Sequence, residues 1–214
     1  MTHVLITSGP TREYLDPVRY LSNASSGRMG CALAEAALEY GYRVTIVSGP
    51  VSIDYPRVAE LIRVETTEEM LQACLHVFPH SDGCIAAAAP CDYRPAVKAV
   101  EKIAKSGRPL ELLLYETPDI LATLAEQKRA DQWLVGFALE THDAHTRAIS
   151  KLQRKKCDLI IVNGPQAISA STNDVEIFDR QGVLLERVSG SKQSVAHSIL
   201  HLLDQRFVQQ KNFA

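Results

Sequence analysis

The sequence predicts an α/β fold in three layers: a mainly parallel sheet with helices on both faces, ended by a β-hairpin and a helix. Three observations carry this expectation. Short apolar runs alternate with helix-period segments over the first 165 residues. The runs are continuously apolar rather than alternating, as in strands buried on both faces. After them come two strand-like runs separated by Asp179-Arg180-Gln181-Gly182, the mark of a hairpin.

His3-Val4-Leu5-Ile6-Thr7-Ser8-Gly9 is a first strand, stopped by Gly-Pro. Residues 29–40 place Leu33, Ala34, Ala37 and Leu38 on one helical stripe, with Gly41 as the residue that ends the helix. Residues 43–50 repeat the strand-then-Gly-Pro pattern and complete a βαβ unit with a right-handed crossover. Thr66 and Glu69 form a capping box ahead of Met70, Leu71, Cys74, Leu75 and Phe78. Strands are predicted at 84–88 and 110–115. Thr117-Pro118-Asp119 reads as a helix start with proline at the first helical position, leading into Leu121 and Leu124. A strand at 134–138, a helix at 144–156 and a strand at 159–162 follow. Residues 175–178 and 183–188 form the hairpin, and the closing helix carries Val195, Ile199, Leu202, Leu203 and Phe207 on one stripe. Segment 10–26 has no regular period yet is too apolar for a disordered loop, and loops of that length tend to be functional. The expectation is a single Rossmann-like domain over 1–214.

Composition narrows the function. A hydrophobic share of 46% with 22% charged residues is ordinary globular usage. A formal charge of −2 offers no global basic field, so neither nucleic acid nor a membrane is an expected partner. The longest small-apolar run, 84–91, is far too short to span a bilayer, and the amino terminus has no basic region ahead of an apolar stretch, which leads to a cytoplasmic expectation. Cys31, Cys74, Cys84, Cys91 and Cys157 are scattered without a C-x-x-C pair, as expected for small buried thiols. His197 and His201 have helical spacing but no carboxylate or third ligand, so they read as a solvated face.

Four segments fall at the carboxyl ends of predicted strands, where ligands bind in open parallel sheets. Ser22 to Gly30 is glycine- and serine-rich and precedes a helix N-terminus; it reads either as a phosphate turn or as a close helix–sheet contact. Alanines 86–89 leave room for a ligand against the backbone, or for tight helix packing, and Asp92-Tyr93-Arg94 follows them. The basic loop 101–108 and the lysines Lys151 and Lys155, at i,i+4, read as ligand contacts or as solvated charge. Taken together, lysines beside a phosphate-type turn, with no nucleophile–base pair, suit phosphoryl or nucleotidyl transfer.

On these residues the chain resembles the phosphopantothenate–cysteine ligase family over about residues 4–206. The stretch I-T-S-G-P-T-R-E-Y-L-D-P-V-R-Y-L-S-N-A-S-S-G-R-M-G at 6–30 carries most of the likeness. D-Y-R-P at 92–95, E-K-I-A-K at 101–105, T-P-D-I-L at 117–121 and V-G-F-A-L-E-T at 135–141 follow in family order. The resemblance implies that a phosphopantothenate carboxylate attacks the α-phosphate of CTP, and that cysteine then displaces CMP from the acyl-cytidylate, with Mg²⁺ offsetting triphosphate charge. It further implies that Asn23 acts on the acyl intermediate and that Lys102, on a mobile flap, acts in its formation. The backbone of Ala86, Ala87 and Ala88, with Asp92, Lys102, Pro118, Asp119, Ile120, Leu121, Phe137, Lys151 and Lys155, matches CTP-binding positions. Ser25, Ser26 and Gly27 lie where the substrate phosphate is expected, the pantothenate phosphate rather than the nucleotide. A homodimer and a phosphopantothenoylcysteine decarboxylase partner are implied as well.

The chain departs from the family at several points. Ala104 replaces the inner flap lysine, Asn163-Gly164 replaces Asn-Asp, 165–173 lacks the usual spelling, and Ala-Pro-Cys precedes Asp92. No counterpart of the flavin-dependent decarboxylase half is present, so the resemblance implies a stand-alone ligase or one part of a longer protein. Two other readings compete with this one. A nicotinamide-dependent oxidoreductase wants G-x-G-x-x-G after the first strand and an acidic residue ending the second, which here ends Val47-Ser48-Gly49. A non-catalytic nucleotide-binding protein of the same fold fits the departures.

Overall fold

The computed structural model describes residues 1–139, 155–163 and 172–209. The predicted helix at 144–156 falls largely outside them, as does Lys151. Its end is visible as a turn at Lys155 and Lys156, the latter with φ 48°.

An eight-stranded sheet organises the chain. It contains β1 (His3–Ser8), β4 (Arg43–Ser48), β5 (Glu60–Arg63), β6 (Gly83–Ala86), β9 (Trp133–Leu139), β10 (Leu159–Asn163), β11 (Thr172–Asp179) and β12 (Leu184–Ser191). The order across it is β12-β11-β10-β9-β6-β1-β4-β5. All neighbours from β5 to β10 are parallel, whereas β11 and β12 run antiparallel to their predecessors. The chain winds outward from β1 to β5, then restarts at β6 on the other side of β1. That reversal leaves a crevice beyond the carboxyl ends of β1 and β6, the usual ligand position in such sheets. The Rossmann-like expectation is met.

Helices α1 (Arg28–Glu39) and α4 (Lys192–Leu203) cover one face, where Leu33, Ala37, Val195 and Ile199 pack over Val4, Ile6 and Ile85. Helices α2 (Thr67–Val77) and α3 (Ile120–Gln127) cover the other with Met70, Cys74, Leu121 and Leu124. Each such aliphatic side chain, fully buried, contributes about 1.5–3 kcal/mol. No described helix is long and apolar enough to cross a membrane.

Local signals explain most helix starts. The Thr66–Glu69 capping box forms as predicted. The start of α3 is displaced: Asp119, not Thr117, is the N-cap, accepting from Ala122 N at 3.1 Å, so Pro118 lies before the cap. Thr117 instead donates its hydroxyl to Cys91 O at 2.5 Å. His197 and His201 are not simply solvated, since His197 Nε2 lies 3.3 Å from Glu39 Oε2 and His201 Nδ1 lies 3.2 Å from the Tyr40 hydroxyl.

Three other expectations change. The run at 110–115 is not a sheet strand; only β8 (Leu114–Glu116) forms, and it pairs with β7 (Tyr93–Pro95) in a separate ribbon. Both its faces are solvated, which its apolar composition concealed. The sheet edge is supplied instead by β5, a short Glu-Leu-Ile-Arg segment without a strong strand signal. The aperiodic stretch 10–26 contains a small hairpin, β2 (Arg12–Tyr14) with β3 (Tyr20–Ser22).

The glycine at position 30 is a packing residue: a Cβ there would sit 2.1 Å from Ser8 Oγ, so α1 rests directly on the end of β1. Gly30→Ala should therefore lower the urea midpoint, with an overpacking penalty of about 1–3 kcal/mol. An unchanged midpoint would show that the contact yields freely.

Candidate functional site

Elements from across the chain converge on a cleft of about 1090 Å³ beyond the carboxyl ends of β1, β6, β9 and β10. Asn23, Ser25, Ser26 and Gly27 form one side, and Ala86, Ala87, Ala88 and Asp92 line its centre. Pro118, Asp119, Ile120, Leu121, Phe137 and Lys155 form the opposite side. Lys102 is not among the lining residues; it sits exposed on the loop joining β7 to β8.

Of the two readings of the turn before α1, the close helix–sheet contact is present. Gly30 is needed for close packing, as above. Gly27, with φ 74°, is the N-cap and has no side chain to cap the helix. The other three described α-helices have side-chain caps from Thr66, Asp119 and Ser191. The first N–H groups of α1 are thus left for solvent or a ligand, with the positive end of the helix dipole behind them. The turn is held from beneath by hydroxyls: Ser48 Oγ lies 2.8 Å from Tyr55 Oη, which donates to Ser8 Oγ at 2.8 Å, and Ser8 Oγ donates to Gly27 O at 3.1 Å.

The central wall is also fixed. Ala87 N donates to Thr7 O and Ala88 N to Thr7 Oγ1, each at 3.2 Å. What this stretch offers a ligand is small apolar surface and carbonyl oxygens. Asn23 Nδ2 donates to Pro90 O at 2.8 Å and Ala89 O at 3.3 Å, joining the turn to that wall. Cys91, part of a departure from the family spelling, is structural: its N–H bonds Thr11 Oγ1 at 2.8 Å. Burial raises the Cys91 thiol, and raises Cys31 to about 11 and Cys74 to about 12, so none of these is a ready thiolate.

On the far side, Lys155 Nζ lies 3.0 Å from Asp119 Oδ2, which ties the turn after the undescribed segment to the start of α3. Among the described residues no group of three His, Cys, Asp or Glu is placed to hold a metal. The carboxylates among the described lining residues are Asp92, Glu116 and Asp119.

Sequence inspection did not single out Lys192 and Asn173, which also line the cleft. The signal for Lys192 was present: it shares the core-facing stripe of α4 with Val195, Ala196, Ile199 and Leu203, where a lysine is out of place. Nor was the clasp around Asp16 foreseen. Its fully buried carboxylate accepts from Val18 N and Arg19 N at 2.8 Å, Arg19 Nε at 2.9 Å and Ile103 N at 3.1 Å. Arg19 Nη2 also donates to Ile103 O at 2.7 Å, so the residue after Lys102 is fastened to the 10–26 arm.

The family described as the DNA/pantothenate metabolism flavoprotein C-terminal domain matches residues 1–207. The chain belongs to this family. The coenzyme A biosynthesis bifunctional protein CoaBC of Bacillus subtilis (strain 168) is 45% identical over 203 residues, which cover 92% of this chain and 50% of that protein. The chain thus spans about half the length of the curated relatives it matches. A crystal structure of the C-terminal domain of CoaBC superposes with a TM-score of 0.82 at 36% identity, covering 95% of this chain and 94% of that one. The DNA/pantothenate metabolism flavoprotein from Streptococcus pneumoniae shares the fold, with a TM-score of 0.84 at 23% identity over 96% of this chain and 99% of that one.

The Arg19 guanidinium, assisted by three backbone N–H groups, holds the Asp16 carboxyl well below the usual carboxylate range, against the opposing effect of burial. A depressed folded-state value means that the stabilisation is complete above the unfolded value of about 3.9 and is lost as pH falls below it. Asp16→Asn should therefore be less stable than the parent at pH 7, with the difference in thermal midpoint shrinking below about pH 4. A gap independent of pH would contradict this assignment.

Proposed function

We propose that this chain is a phosphopantothenate–cysteine ligase that uses CTP and passes through an acyl-cytidylate. One observation carries the reading: segments far apart in sequence that match the ligase pattern, at 23–27, 86–92, 118–121, 137 and 155, line a single cleft at the sheet's switch point. The naming of the Bacillus subtilis relative for coenzyme A biosynthesis supports the same pathway.

A free carboxylate resists attack by an amine because its charge opposes the nucleophile and it offers no good leaving group. Forming the mixed anhydride removes both obstacles. The uncapped α1 terminus and Ser25-Ser26-Gly27 take a substrate phosphate. The base lies toward Phe137 and 118–121, against the alanine wall. Mg²⁺ carried by the nucleotide would be met by Asp92 or Glu116, where it offsets phosphate charge. Lys102 would act by extending its side chain toward the cleft from the loop that Asp16 anchors at Ile103. Asn23 stands between the turn and the wall; its long bond to Ala89 O is the one an acyl oxygen would replace.

The test is product analysis: CTP, phosphopantothenate and cysteine should yield CMP, pyrophosphate and the amide. Failure to turn over either CTP or ATP would end the ligase reading. Lys102→Gln should lose pyrophosphate release. Asn23→Asp places a carboxylate against the Ala89 and Pro90 carbonyls and should accumulate acyl-cytidylate, at a cost of about 10²–10³ in rate if the amide stabilises the oxyanion. Normal amide yield without trapped intermediate would remove Asn23 from that role.

A homodimer belongs to the same proposal. Val97, Val100, Leu110, Leu113 and Tyr115 are exposed on the β7–β8 ribbon and its loop, Val100 to 91%, and offer apolar surface to a second chain. Sedimentation at micromolar concentration should give twice the chain mass, and Leu113→Glu should halve it; a parent that sediments as a monomer excludes the dimer. The product amide would pass to a phosphopantothenoylcysteine decarboxylase.

A further inference from the structure

Lys192 opens α4 in a register that belongs to the core. The residue is 8% exposed and its ammonium donates to Asn173 Oδ1 at 2.8 Å. That bond helps to fix the direction of the ammonium. Both residues line the cleft that also contains Arg28, Met29 and Gly30 at the start of α1.

The topology explains how a residue so late in the chain arrives there. Strand β11 begins at the carboxyl rim of β10, with Asn163 opposite Val175. Strand β12 then returns to that rim, where Ser191 lies opposite Thr172. Two reversals deliver the head of α4 to the same end of the sheet as the head of α1.

Three sources of positive potential therefore meet at one end of the cleft: the uncapped α1 terminus, Arg28 and Lys192. Burial, and after it the Arg28 charge, push the Lys192 ammonium below the usual lysine range, so the two cations sense each other. Gathering like charges on partly desolvated ground is unfavourable by itself and favourable to a bound anion.

We propose that Lys192 and Arg28 form a two-cation clamp that binds one substrate phosphate against the first turn of α1. This rests on the reading that the cleft takes phosphorylated substrates. The ligand chemistry is a phosphate monoester or a polyphosphate, supplied either by the pantothenate phosphate or by the nucleotide.

Calorimetric titration of the parent, Lys192→Met, Lys192→Arg and Arg28→Met with phosphopantothenate and, separately, with CTP tests the clamp. A charge-assisted contact predicts that Lys192→Met and Arg28→Met each weaken one ligand about tenfold or more. The other ligand should stay within about twofold, and Lys192→Arg should recover most of the loss. The ligand that weakens identifies the source of the phosphate. Unchanged affinity for both, or an equal loss for both, overturns the clamp in favour of a structural role for the Lys192–Asn173 bond. If Lys192→Met does not fold, Arg28→Met is decided by the same criterion. If the parent binds these ligands with this dependence but releases no CMP, the clamp stands and the ligase reading falls. If CMP is released and neither variant loses affinity, the clamp falls alone. If the parent binds neither ligand, both fall.

Discussion

The contact between the end of β1 and the start of α1 sets the geometry of everything around the cleft. Ser8 is the last residue of β1, and α1 approaches it so closely that only a glycine fits at position 30. That approach places the α1 terminus over the sheet rim, and the Ser48–Tyr55–Ser8 hydroxyl chain keeps Gly27 in its left-handed conformation. Had the helix stood farther off, the turn would face solvent rather than the crevice between β1 and β6. Close packing and an open helix terminus are not rival explanations of the glycines, because the first brings the second to the crevice.

A second set of contacts joins the 10–26 arm to the segments around the cleft and to the β7–β8 loop. Thr11 holds Cys91, Glu13 accepts from Thr67 N at 2.8 Å, and Asp16 holds Ile103. The arm is a brace between the sheet and the loop that carries Lys102. This accounts for a long, apolar, aperiodic segment that forms few sheet contacts of its own: its polar atoms are committed to distant backbone.

Much of the central sheet was legible because buried parallel strands are written as uninterrupted apolar runs, as in His3–Ser8 and Leu159–Asn163. The capping box at Thr66 and the hairpin turn at Asp179 were equally plain, being local chemistry. Position 110–115 misled because apolar residues there serve an exposed ribbon, and composition does not distinguish a buried strand from a surface patch. Strand β5 was invisible because an edge strand needs little apolar character. In the site, the family-like segments announced themselves, yet which of them line the cleft was not readable: Lys102 lies outside its walls and Lys192 within them. That difference is tertiary. Lys192 arrives through two chain reversals, and only its misplaced charge on an apolar helix stripe hinted at it.

The two reversals at β11 and β12 also bear on when the molecule becomes competent. The cleft takes its residues from near both ends of the chain, Asn23 and Arg28 on one side and Asn173 and Lys192 on the other. During synthesis, β1, α1 and β6 can assemble while the last wall has yet to leave the ribosome, so a growing chain holds an open crevice with no closed pocket. Contacts this distant in sequence also form late in refolding, because closing long loops comes before the reward of packing. A ligand held by both walls would favour the assembled cleft over any form in which the β11–α4 wall has yet to pack.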